Sequence, residues 1–271
     1  MKTLRTLSLN LRFGLADDGP NGWPYRKEAV VKLFRQEDPD LIATQEVNHF
    51  QADYLAERLT EYEYIGRRPG APHFWQDNVL FFKNRIACRE ADHFFLSQTP
   101  DIPSRSFGSR FPRQATLGRF QADGCDFVCV NTHFDFDTPA QLGAARVVHS
   151  RLEAYRTDLP VILMGDFNTT PDSVCYQWLT SEKGDNGGRF RETFTAPYPS
   201  TFHRFTGRPT AGYIDWILYR GSLRLDSCRV MDQPIDDVYP SDHHPVAAVF
   251  SCGLPPVADR KKYPLEDGEN Q

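Results

Sequence analysis

Apolar and polar residues alternate at the start of the chain. Leu7, Leu9 and Leu11 stand between Ser8, Asn10 and Arg12, and a period of two is the mark of a half-buried strand. The same logic, together with runs rich in β-branched and aromatic residues, predicts strands over 4–10, 41–46, 79–83, 93–96, 115–121, 127–132, 161–165, 213–219 and 246–250. Three segments predict helices. Residues 25–37 follow Pro24, which suits a first helical position. Residues 49–60 carry Tyr54, Leu55 and Leu59 at helical spacing. Residues 139–156 begin at Pro139 behind Thr138, a good N-cap residue. There Leu142, Ala145, Val148, Leu152 and Tyr155 form one apolar stripe. Many strands with few helices predict two packed sheets with helices outside. No internal repeat or long linker is visible. The polar, Pro-containing segment from Gly253 predicts a poorly ordered tail over 253–271, behind one domain over 1–252.

The chain of 271 residues is long enough to bury a substantial core. Its net charge of −5 argues against a basic field covering the whole molecule and so against a duplex-binding surface, although a local patch would serve a nuclease. The alternation near the N-terminus excludes the continuous apolar stretch of a signal peptide, and no run approaches a membrane span. Six cysteines without a C-x-x-C pair read as buried thiols in a reducing cytoplasm; Cys125 and Cys129, on one strand, are too far apart to bond each other.

The polar residues at strand ends carry the candidate chemistry. In "VILMGDFN" an apolar strand ends in Asp166 and Asn168, two apart and therefore on one side of an extended chain. An oxygen-only pair of this kind suits a hard cation such as Mg²⁺; taken alone, it is more simply an Asx-turn. In "VCVNTHFD" Asn131 and His133 share a face, and His133 is either a phosphate donor or a satisfied half-buried histidine. Glu46 closes the strand "LIATQE", and Asn10 closes the first. Asp215 interrupts the apolar run "GYIDWILY"; a buried carboxylate needs a partner, and a histidine is the natural one. "YPSDHHPV" supplies Asp242, His243 and His244, the last held extended by Pro245.

Six motifs, "LSLNLRF", "IATQEV", "NTHFD", "GDFN", "YIDWI" and "SDHHPV", follow one another between residues 7 and 246. In this order they resemble the endonuclease/exonuclease/phosphatase (deoxyribonuclease I-like) superfamily. The resemblance implies an α+β fold, a four-layer α/β/β/α sandwich of two mixed sheets flanked by helices, and a phosphoric ester hydrolase dependent on Mg²⁺ or Mn²⁺. Residue by residue it implies Glu46 as principal metal ligand with Asn10 close to the metal and Asp242 on its side. Asp166 and Asn168 would position the attacking water and the phosphate. His243 would act as general base or polarise the phosphate, with Asp215 holding it, and His133 would contact the scissile phosphate.

Substrate choice rests on loops. "SRSFGSRFPRQATLGRF" over 104–120 holds Arg105, Arg110, Arg113 and Arg119 with Phe107 and Phe111 interleaved, either a phosphate clamp with aromatic platforms or an exposed basic loop. A bacterial branch of the same family is similar in its "LS-x-TP" (96–100), "PR-x-x-T" (112–116) and "TFH-x-F" (201–205), although Phe95 stands where that branch often has Trp. On that likeness Arg113, Asn78 and His203 are the expected substrate-side residues. The acidic balance favours a small phosphorylated or nucleotide-like substrate. A nuclease on single-stranded RNA or DNA is the alternative, and a catalytically inactive binding module on the same fold is a third reading. No feature speaks for a membrane substrate.

Overall fold

The computed structural model describes residues 2–155, 158–181 and 190–252. The expected tail over 253–271 lies outside the described residues, as does the last position of the helix expected over 139–156. In chain order the elements are β1 (Lys2–Asn10), α1 (Trp23–Glu37), β2 (Leu41–Val47), α2 (His49–Arg58), β3 (Tyr62–Ile65), β4 (Asp77–Lys83), β5 (Ala87–Phe95) and β6 (Gln114–Ala122). They continue with β7 (Cys125–His133), α3 (Thr138–Ala154), β8 (Val161–Asp166), α4 (Val174–Thr180), β9 (Arg191–Glu192), β10 (Asp215–Arg220), β11 (Leu223–Val230) and β12 (Val246–Cys252).

The strands form two six-stranded mixed sheets, ordered β11-β12-β1-β2-β4-β3 and β5-β6-β7-β8-β10-β9. Each sheet has one parallel pair at its centre, β1 with β2 and β7 with β8; the other pairs are antiparallel. A parallel pair needs a crossover. Helix α1 supplies it in the first sheet and α3 in the second.

The period-two pattern sorts side chains into layers. Leu4, Leu41, Ala43, Leu80 and Phe82 of one sheet meet Phe120, Phe127, Cys129, Ile162 and Met164 of the other in the central core. Leu7, Leu9, Ile42 and Phe81 face the opposite way, onto Val30, Phe34 and Leu55 of the first helical layer. Val128, Val130, Leu163 and Trp216 pack against Ala145, Val148 and Leu152 on the far side. The result is the α/β/β/α sandwich. The N-cap of α3 is Asp137, one residue earlier than expected.

At one edge the apolar core gives way to amides. Asn131 donates to the Thr44 and Val79 carbonyls, both at 2.9 Å, and accepts from Gln45 Nε2 at 2.8 Å. These residues belong to different sheets, so Asn131 is a buried polar clip between them. Asn131→Ala strands these partners, and the expected loss is about 2–3 kcal/mol in urea unfolding; an unchanged midpoint would show that the clip contributes nothing.

One expectation is corrected. The cysteines are not all free: Cys125 and Cys252 form a disulfide, while Cys88, Cys129, Cys175 and Cys228 are free. Cys125 opens β7 in one sheet and Cys252 closes β12 in the other. Packing the sheets brings these ends together across 127 residues of sequence, which spacing along the chain does not reveal. The bond removes the support that reduced thiols gave to a cytoplasmic location. Among the described residues no helix is long and apolar enough to cross a membrane.

Candidate active site

The topology explains why residues distant in sequence meet. Parallel strands end at the same edge, so the ends of β1 and β2 register as Asn10 beside Gln45, and those of β7 and β8 as His133 beside Asp166. Strand β10 runs antiparallel to β8 and begins where β8 ends, which sets Asp215 opposite Asp166. Strand β12 runs antiparallel to β1, so the segment ahead of it, with Asp242 and His243, returns to the same edge.

Local backbone serves this edge. A bulge between Thr44 and Val47 turns Glu46 into the left-handed region at φ +60°, a costly conformation for a residue with a Cβ. Asn168 is also left-handed, at φ +51°. Its N–H donates to Asp166 Oδ1 at 2.9 Å, so the Asx-turn exists, and it leaves Asp166 Oδ2 for the site.

Asp166 Oδ2 accepts from Asn10 Nδ2 at 3.0 Å. The same amide nitrogen lies 3.2 Å from Glu46 Oε1, and Glu46 Oε2 accepts from the Phe13 N–H at 2.8 Å. Asn10 Oδ1 is occupied by the Arg12 N–H at 2.9 Å, so Asn10 presents nitrogen, not oxygen, to the two carboxylates. Asp242 lies 3.9 Å from Arg12 Nε and accepts from Ser241 Oγ at 3.2 Å.

His243 Nδ1 sits 2.9 and 3.1 Å from the Asp215 oxygens, and its Nε2 is 3.9 Å from Asp166 Oδ2. Burial lowers the imidazolium pKa, but Asp215 above all, with Asp166 and Asp242, outweighs it and raises the value to about 10. Burial, then the Asp215 charge, pushes the Asp166 carboxyl upward.

His133 behaves oppositely. Burial, Arg113 and His243 hold it well below the ordinary histidine value, so it is neutral. Arg113 Nη1 lies 3.0 Å from His133 Nδ1. Since a guanidinium can only donate, Nδ1 accepts and the ring proton of the neutral imidazole sits on Nε2, where its acceptor is Asp166 Oδ2 at 3.4 Å. Asn168 Nδ2, 2.9 Å from that nitrogen, is itself a donor and makes its hydrogen bond to the Phe134 carbonyl at 2.9 Å.

The structure therefore brings Asn10, Glu46, His133, Asp166, Asn168, Asp215 and His243 into one cluster, with Asp242 at its Arg12 side. Glu46 and His133 also line a cavity of about 490 Å³, whose wall includes Arg113 and Asn78. The Asn78 amide is committed to the Gln114 carbonyl at 2.6 Å. His203 is placed elsewhere. It is fully buried, stacked on His244 at 3.8 Å between ring centres, and its N–H donates to the Asp242 carbonyl. Burial pulls its pKa down to about 4. It buttresses the His243 segment and does not line the cavity.

Sequence reasoning passed over Arg26. Its buried guanidinium donates to the carbonyls of Leu11, Arg12 and Pro240, tying the segment after β1 to the one that carries His243. It also passed over Phe13, Phe74, Gln114 and Phe136 in the cavity wall. The adjacency of Arg12 and Phe13 to Asn10 was the available signal for the first of these.

Asp166, Asp215 and His243 can place one ligand atom each within 4.8 Å of one another. Asp215 and His243 are already engaged with each other, however. The donors that Asp166, Glu46 and Asp242 offer are all oxygens, which suits Mg²⁺ or Mn²⁺. Glu46 and Asp166 share a single amide donor between them, a charge balance that a divalent cation would improve, so the residues fit such an ion.

Comparison with known proteins agrees with this geometry. The chain is 27% identical over 188 residues to uncharacterized protein L388 of Acanthamoeba polyphaga mimivirus, a match covering 64% of this chain and 67% of that protein. It spans less than half the length of three further curated relatives, at 24–28% identity. Among solved structures, an endonuclease/exonuclease/phosphatase from Bacteroides vulgatus superposes with a TM-score of 0.85 at 25% identity, over 93% of this chain and 100% of that one. A mannosyl-6-phosphatase of Bacteroides thetaiotaomicron superposes at 0.82 and 25% identity, over 92% and 99%. The model of the Endonuclease/Exonuclease/phosphatase family matches residues 7–243, and the chain belongs to that family.

Proposed function

We propose that this protein is a metal-dependent phosphohydrolase that cleaves a phosphoester of a small phosphorylated or nucleotide-like molecule by in-line attack of water. The observation that carries the reading is the pairing of a charged His243–Asp215 couple with a neutral His133 around Asp166, beside Glu46 in the cavity wall.

Glu46, Asp166 and Asp242, with Asn10 adjacent, would hold Mg²⁺ or Mn²⁺. When bound, such an ion withdraws charge from a phosphate oxygen and stabilises the charge that develops there. Asp166 and Asn168 orient the water, and Asp166 Oδ2 is placed to take its proton. His243, protonated on both nitrogens, donates from Nε2 to a phosphate oxygen. Asp215 holds its other face. His133 donates from Nε2, in a tautomer set by Arg113. The water oxygen bonds to phosphorus, the ester P–O bond breaks, and the departing oxygen takes up a proton.

The likeness to the mannosyl-6-phosphatase of Bacteroides thetaiotaomicron supports a phosphomonoester. The charges on the 104–120 segment speak against a nucleic-acid groove. Arg110 pairs with Asp137, and Arg119 pairs with Glu90. Only Arg113 of that segment's arginines lines the cavity.

A hydrolysis screen with Mg²⁺ and with Mn²⁺ tests the reading. It covers phosphomonoesters, nucleotides and short single- and double-stranded oligonucleotides. Release of phosphate from a small ester only with metal is the expected result. Cleavage of oligonucleotides that weakens steeply with added salt would replace it with the nuclease reading. No cleavage of any class would overturn it.

A further inference from the structure

Phe74, Phe111 and Phe136 are 65%, 50% and 51% exposed, and they are the exposed phenylalanines among the described residues. They come from three separate loops, yet all three line the one cavity that Glu46 and His133 also line. Trp75 and Phe13 extend the same wall. Exposed aromatic surface scattered over a protein needs no explanation, but concentrated at one cavity beside a catalytic centre it marks a ligand surface. The Arg113 guanidinium lies 5.0 Å from the Phe111 ring centre and 5.7 Å from that of Phe136, holding the two rings on a charged base next to His133.

The polar groups in the wall are largely spent on each other. Gln114 Nε2 donates to the Gln76 carbonyl at 2.6 Å, its Oε1 is 2.9 Å from His93 Nε2, and its own carbonyl takes the Asn78 amide. Arg12 is bound to Asp18 through two bonds. Two donors of wall residues, Trp75 Nε1 and Arg113 Nε, are buried without a hydrogen-bond partner among the described residues. A hexose brings several hydroxyls into such a pocket, each costly to bury unpaired. A flat ring brings faces that stack on phenyl groups and few edges to satisfy.

We infer that the preferred substrate is a phosphoester whose alcohol part carries a planar aromatic ring, which stacks against Phe74, Phe111 and Phe136 while its phosphate lies at Glu46 and His133. The inference rests on the hydrolase reading and goes beyond it in naming the leaving group. The reaction is R–O–PO₃²⁻ plus water giving R–OH and inorganic phosphate. The proton lost by the water balances the one gained by the leaving oxygen. The ring has two sources, a nucleobase or a simple aryl group, and the test separates them.

Initial rates with Mn²⁺ are measured for adenosine 5′-monophosphate, phenyl phosphate, mannose 6-phosphate and glycerol phosphate. At least one ring-bearing ester is expected to exceed mannose 6-phosphate by about tenfold or more in kcat/KM, and which one leads identifies the source. Phe111→Ala and Phe136→Ala are each expected to raise KM for the preferred ester about five- to tenfold, with a smaller change in kcat. Tyr25→Ala, an exposed aromatic on α1 outside the cavity, is expected to change nothing. Equal or better turnover of mannose 6-phosphate overturns the inference and leaves the hydrolase reading standing, as does a preference that survives the Phe111→Ala/Phe136→Ala double substitution. If no ester is turned over, the hydrolase reading fails, and calorimetric titration of the same four esters decides the inference alone. Tighter binding of a ring-bearing ester, lost in the double variant, supports it; equal binding overturns it.

Discussion

His243→Ala lowers turnover by about 10²–10⁴-fold, the range expected when a positioned proton-transfer group is removed. His243 is buried and paired to Asp215 at 2.9 Å, and its pKa is raised to about 10 while those of His133, His203 and His244 are lowered. An imidazolium held charged in a water-poor pocket has little structural justification unless it acts on a neighbouring negative group. The alanine variant removes that charge and leaves Asp215 without its partner. Asp215→Asn is the companion, because it keeps a hydrogen-bond acceptor for Nδ1 and removes only the charge that keeps the ring protonated. It is expected to lose at least about tenfold in turnover with little change in KM. Both are read against a circular-dichroism melt. A folded His243→Ala protein with wild-type turnover would end the assignment.

The central strands and the chemistry at their ends were legible because both depend on local pattern. An apolar run that closes in Asp166, Glu46 or His133 reads as a strand with its polar group at the rim, and the six motifs in order identified the fold. The elements that escaped notice, β3, β9, β11 and α4, are short or lie at sheet edges. Strand β11 has most of its residues at least partly exposed, so its apolar alternation is weak. Three features were not legible because they arise only from tertiary contact. The Cys125–Cys252 bond joins strand ends in different sheets. His203 belongs to a motif near the site, but the chain turns its ring inward onto His244, and no spacing rule reports which side of a loop is buried. The aromatic wall is assembled from three loops, with Phe74, Phe111 and Phe136 spaced 37 and 25 residues apart, so although Phe111 stood out beside its arginines, nothing in the sequence joined it to Phe74 and Phe136.

Glu46→Gln separates metal binding from folding. Glu46 occupies a left-handed position at a bulge, and such strain persists where the surrounding structure imposes it and the side chain is needed there. Its carboxylate faces Asn10 and the Phe13 N–H, with Asp166 on the other side of the same amide. Glutamine preserves the shape and can still accept from Phe13, so the metal-free protein is expected to melt at the wild-type temperature or slightly above it, one negative charge having left a crowded cluster. The effect of Mn²⁺ should differ sharply. A ligand that binds only the folded state stabilises it by RT ln(1 + [L]/Kd), about 2.7 kcal/mol at a hundred times Kd. Wild-type protein should therefore show a Mn²⁺-dependent rise in melting temperature. In Glu46→Gln the same rise should require at least about tenfold more Mn²⁺, and turnover should fall by about 10² or more, because a charged oxygen donor to a hard cation has been replaced by a neutral amide. Two outcomes have different meanings. An unchanged Mn²⁺ titration with lost turnover would move Glu46 from metal binding to positioning of substrate. An unchanged titration with unchanged turnover would remove Glu46 from the site and leave the strained bulge as a feature of the fold alone.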